Sequence, residues 1–109
     1  MVWVPKTEGE REDVADAIDF VADARARHFW DGRGALMAAY TSVLGLSEDA
    51  WDIYMVYGPG ARWPAGALPP PPAYWMHQLG EREAPRVQGP YLDAGVFAAR
   101  VRALLDAPP

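Results

Sequence analysis

The sequence predicts an α/β chain with a small central sheet flanked by helices, on three observations. The stretch Trp51-Asp52-Ile53-Tyr54-Met55-Val56-Tyr57 is apolar on both faces when read with the two-residue period of a strand, except at Asp52. A strand apolar on both sides is covered on both sides, so it is expected at the centre of a helix-covered sheet. Strand-like and helix-like patterns alternate before it, as parallel βαβ units require. Finally, 109 residues, half of them apolar, are enough for one domain with one modest core, so residues 1–109 are read as a single domain.

Taken in order, Val2-Trp3-Val4 is a short strand ended by Pro5. Thr7 and Glu10 form a capping-box signature, and Glu8, Glu10, Glu12 and Asp13 lie where a helix dipole favours negative charge. Val14, Ala17, Ile18, Val21 and Ala24 give that helix a buried stripe, with Asp16, Asp19 and Asp23 outward and Asp23 four residues before Arg27. Arg27-His28-Phe29-Trp30 is a second strand, stopped at Asp31-Gly32. A second helix starts near Gly34, with Leu36, Tyr40, Val43 and Leu44 on one face and Gly45 as its C-terminal cap. After the central stretch, residues 58–73 contain three Gly and six Pro, including four consecutive prolines, and form an irregular loop. Tyr74 to Leu79 is an edge strand or a short helix, and Glu81 to Pro90 is a polar loop. Asp93 caps a last helix with Phe97, Val101, Leu104 and Leu105 as its stripe.

Composition narrows the functions. A net charge of −5 and scattered basic residues, nine of the ten being Arg, leave no basic stripe for nucleic acid or an anionic membrane. No apolar run is long enough to span a bilayer, and the first residues are too short for a signal peptide, so a cytoplasmic location is expected. The chain has no cysteine, which excludes disulfides, thiolate metal sites and cysteine nucleophiles on this polypeptide.

The segment Arg27-His28-Phe29-Trp30-Asp31-Gly32-Arg33-Gly34-Ala35-Leu36 through Tyr40 is similar to the strand, Asp-x-x-Gly turn and helix of peroxiredoxin and redoxin-type members of the thioredoxin-like superfamily. Trp51 to Tyr57 with Gly58 is similar to the strand and turn that follow, and Val2-Trp3-Val4-Pro5 resembles the preceding strand. The resemblance spans Val2 to Tyr57 and the last helix. It implies the thioredoxin-like architecture and carries over no catalytic residue. The family's redox members use a thiolate, usually in Cys-x-x-Cys, where this chain has Pro5-Lys6-Thr7-Glu8-Gly9. Their cis-proline is replaced by Ala50 before Trp51, and the cysteine-bearing βα unit is either changed or lies upstream.

Few residue sets suit chemistry. His28 and His77, with Asp31 or Asp52, have the types of a two-His, one-carboxylate metal site, but their spacing matches no ligand motif and structural roles are favoured. Gly32-Arg33-Gly34 lies where a phosphate loop sits, yet Met37 occupies the place of the third glycine, so a tight turn is expected, with Arg33 able to hold an anion. Ser42 and Ser47 lack a nucleophile elbow. Asp52, a single acid among apolar residues, is expected as a buried charge, held by a salt bridge or capping a turn. Trp63, Pro64, the four prolines, Tyr74 and Trp75 put aromatic rings beside polyproline geometry, as a rigid lid on the domain's own aromatics or as a contact for a partner.

The expected function is a redox-inert, thioredoxin-like binding or assembly module with no cofactor. Its contact residues are drawn from Trp63, Tyr74, Trp75, His77, Trp51 and Arg33, and its partner is another protein or a second copy in a homodimer. The alternative is a fragment or subunit of a thiol-disulfide or peroxide-handling oxidoreductase whose cysteines lie on another segment. A small metal- or anion-dependent enzyme using His28, His77 and Asp52 stands third.

Overall fold

In the computed structural model, residues 1–4, 19 and 21–108 are described. The expected helix start at Thr7 and the stripe Val14, Ala17 and Ile18 lie outside them. From Val21 to His28 the chain is not helical, so Val21 and Ala24 belong to no helical stripe. Asp23 pairs with Arg25 rather than Arg27. Its carboxylate accepts from the Arg25 backbone N–H at 2.8 Å and from the guanidinium at 2.8 Å. Such a local bond to the backbone competes with helix formation.

Strand β1 (Val2–Trp3) pairs in parallel with β2 (Phe29–Trp30). Helix α1 (Ala35–Val43) follows, then β3 (Ile53–Val56), β4 (Tyr74–His77), the short strands β5 (Gly80–Glu81) and β6 (Ala84–Pro85), and α2 (Ala94–Asp106). The architecture is therefore mixed α/β, built of small two-stranded sheets. Among the described residues no helix is long and apolar enough to cross a membrane.

Helix α1 is set at both ends by local chemistry. The Asp31 carboxylate accepts from the backbone N–H groups of Ala35, Leu36 and Met37 at 3.0, 3.0 and 3.1 Å, filling the donors that a helix start leaves open. At the other end Gly45, at φ +65°, donates to the Ser42 carbonyl at 3.2 Å, and Leu46 donates to that of Thr41 at 3.0 Å. This is the Schellman pattern that the sequence expectation of a Gly45 cap requires. It turns Leu46 back beside Leu44. Thr41 Oγ1 accepts from the Ala50 N–H at 2.8 Å and steers the chain towards β3.

The stretch expected as the central strand is shorter and less enclosed than its pattern suggests. Asp52 stands at φ +56°, a conformation that breaks an extended run, so only Ile53–Val56 form the strand. Among the described residues β3 pairs with β4 alone, antiparallel, with Ile53 opposite His77 and Met55 opposite Trp75. All four β3 residues are half-buried. Its two faces nonetheless meet different helices. Ile53 joins Tyr40 and Val43 of α1 against the core, while the Tyr54 ring meets Phe97 of α2 edge-on at 6.5 Å.

Among the described residues Leu44, Leu46, Leu79 and Val87 pack as the core cluster, at the end of α1 and in the turns after β4, and Met76 of β4 is buried outside that cluster. The sequence expectation of a polar loop over Glu81 to Pro90 is corrected here. The β5–β6 hairpin forms within it and Val87 is buried, because only Val87 in that stretch is a branched aliphatic able to close the core. Pro85 sits on a strand with a single neighbour, where a missing donor costs little. Of the stretch Tyr74 to Leu79, residues Tyr74–His77 form a strand and Gln78 and Leu79 lie beyond it. Asp93 caps α2 through a 3.0 Å bond from the Val96 N–H, as expected. Phe97, Val101 and Leu104 are half-buried, but Leu105 is 78% exposed. At eight residues beyond Phe97 it falls on the flank of a stripe narrowed to fit a two-stranded pair.

Candidate functional site

An open cleft of about 560 Å³ lies between the first strand, α1 and β3. Met1, Val2 and Val4 form one side, Leu36, Met37 and Tyr40 of α1 another, and Ile53, Met55 and Tyr57, alternate residues along one face of the chain, a third. Trp51 and Trp63 also line it. That size falls within the roughly 300–1,000 Å³ of small-molecule sites.

Residues 58–73 fold back over this face. The Tyr57 hydroxyl donates to the Pro70 carbonyl at 2.7 Å, and because a carbonyl cannot donate, the 2.7 Å contact between Tyr40 and Tyr57 is a bond from the Tyr40 hydroxyl. Burial, reinforced by the Tyr40 hydroxyl, pushes the Tyr57 phenol far above its ordinary range. Pro69 is buried, while Trp63 fixes itself by donating Nε1–H to the Ala67 carbonyl at 2.7 Å and rests edge-on against Tyr40 at 6.5 Å. The lid reading thus describes the inner side of the loop. The outer side carries Trp63 at 50% and Leu68 at 59% exposure.

Of the residues singled out in the sequence, the fold brings Trp51, Trp63 and Asp52 to the cleft. Asp52 is half-buried, and its Oδ1 accepts from the Tyr54 hydroxyl at 3.0 Å, a phenol standing where an ion pair was expected. Burial and the Asp52 carboxylate push the Tyr54 phenol up to about 12. Tyr74 lies on the opposite face of the hairpin, with Arg100 of α2 4.6 Å from its ring centre. Trp75 packs against the core, and Arg33 is exposed at the start of α1. The Asp31 carboxylate already occupies the helix N–H groups that a phosphate on Gly32-Arg33-Gly34 would use.

The two histidines lie apart from the cleft lining. His77 is 0% exposed, and its Nδ1 accepts from the Leu79 N–H at 3.1 Å, which assigns the ring proton to Nε2, 3.1 Å from the Gly89 carbonyl. His28 Nε2 lies 3.4 Å from the Val21 carbonyl. Among the described residues no group of three or more His, Asp or Glu side chains is arranged to hold a metal ion, and His28, His77 and Asp52 form no such set.

Tyr40, Tyr57, Met37 and Met55 were not singled out as site residues in the sequence. Tyr40 fits its helical stripe and Met55 its strand pattern, and the 17-residue separation of the paired tyrosines carries no local signal. No family model, no curated protein and no solved structure matches the chain.

Proposed function

We propose that this chain is a redox-inert, thioredoxin-like binding or assembly module, with the 58–73 loop as its contact surface and a second copy of the chain as its simplest partner. One observation carries the reading: the loop is held from within and apolar without. Tyr57 and the buried Pro69 hold its inner side, while Trp63 and Leu68 remain at the surface in a fixed arrangement. Apolar side chains kept exposed on an ordered loop fit a docking surface, since ordering costs have been met before the partner arrives. The parallel β1–β2 pair and the terminal helix support the thioredoxin-like part. The separate antiparallel β3–β4 pair lends it nothing. With no cysteine in the chain, thiol exchange is not among its activities.

Sedimentation velocity over a wide protein concentration range tests the reading. Self-association that is lost in both Trp63→Ala and Leu68→Glu, with circular dichroism unchanged, is the expected result. A wild-type chain that remains monomeric at the highest concentration removes the homodimer.

A further inference from the structure

We propose that the cleft between the first strand, α1 and β3 binds a neutral, largely apolar small molecule of aromatic character. The size sets the scale: about 560 Å³ is several times the roughly 150 Å³ cavity that accepts one benzene, so two or three rings fit. The lining sets the chemistry. Trp51, Trp63 and Tyr40 offer ring faces and edges, and Met37 and Met55 offer flexible thioethers that adapt to a planar guest.

Charge and hydrogen bonding then count against anionic guests and guests that need polar partners. Among the described residues no Lys or Arg side chain lines the cleft and the α-ammonium of Met1 is held by the Arg27 carbonyl, so a carboxylate or phosphate would enter beside Asp52 with no side-chain cation to meet it. Asp52 itself directs Oδ1 to the Tyr54 hydroxyl, and the Tyr54 ring packs on α2, away from the cleft. The hydroxyls of Tyr40 and Tyr57 are spent on each other and on Pro70. Among the described residues no buried side-chain nitrogen or oxygen lacks a partner. Apart from the Asp52 carboxylate, the site rewards removal of apolar surface from water. Leu68, on the outer side of the loop, does not line the cleft, so this proposal and the docking surface fail separately.

The test uses the full chain and two dyes that differ in one charged group. N-phenylnaphthylamine is neutral and emits strongly in apolar surroundings; anilinonaphthalenesulfonate is its sulfonated relative. The expected result is saturable binding of one neutral dye per chain, with tryptophan quenching, and at least about tenfold weaker binding of the sulfonate. Met37→Trp, which fills the cleft, and Trp63→Ala, which removes one wall, should each weaken the neutral dye by about tenfold while Leu68→Glu leaves it unchanged. Two variants guard against a folding defect in either, with circular dichroism reporting the fold. Absence of saturable binding, equal affinity for the sulfonate, or affinity indifferent to both variants overturns the proposal. So does neutral-dye binding lost as protein concentration rises, which assigns the cleft to a second copy.

Discussion

Replacing His77 by Phe is the sharpest probe of what holds the hairpin to the rest of the molecule. The change keeps a ring of similar size in a fully buried position and deletes both nitrogens. Two bonds go. The Leu79 N–H, on a residue with 0% exposure, loses its acceptor at 3.1 Å and has no water to replace it. A buried orphan of this kind costs about 1–3 kcal/mol. The Gly89 carbonyl loses its 3.1 Å donor too, but Gly89 is exposed and solvent can take over, so about 0.5–1 kcal/mol is reasonable there. Together the loss is about 1.5–4 kcal/mol, a large share of the roughly 5–15 kcal/mol typical of a domain. The ring contacts with Trp75 and Tyr91, at 6.1 and 5.6 Å, should survive in the variant. Urea unfolding reads the result as a lowered midpoint with an unchanged slope. A loss below about 0.5 kcal/mol would refute the reasoning, because it would make the imidazole a spacer that adds nothing to the backbone bonds of His77 with Pro90 and Leu92.

Two more outcomes follow from the same geometry. Asp31→Ala removes the acceptor of three helix-start N–H groups and should cost about 2 kcal/mol, at the upper end for a cap, with Asp31→Asn intermediate; an alanine variant as stable as the parent would show that water replaces the carboxylate. Tyr54 titrates at about 12 in the folded chain against 10.0 for the free phenol, so its contribution to stability is complete below pH 10.0 and lost as pH rises towards 12. Tyr54→Phe should flatten that alkaline loss in denaturant titrations and remove one late step from the phenolate absorbance; an identical alkaline decline in both proteins would contradict the assignment.

Much of the local structure is written in short-range chemistry, and there the sequence is legible. Gly45 closes α1 as expected because a residue tolerant of positive φ after a helix is demanded by the backbone itself, whereas Asp31, read in the sequence only as the end of a strand, proves to be the cap at the other end. Asp93 before α2 is the same kind of signal. The absence of cysteine fixes what chemistry is closed to the chain whatever its fold.

What lies across the chain was settled only by packing. Residue types at Asp52 pointed to a strand with one charged position, whereas the bond to Tyr54 and a left-handed backbone make it a turn that shortens that strand. Nothing local to His77 separates a surface imidazole from a wholly buried one; its state depends on Leu79 and on Gly89, twelve residues away. Tyr40 in its helix, Tyr57 just past β3 and Pro70 in its loop carry no shared signal until the 58–73 segment folds back and makes them one hydrogen-bonded chain above the cleft. A cleft is the space left where several elements fail to meet, so its walls have no common period or motif, and only the assembled tertiary structure can decide them.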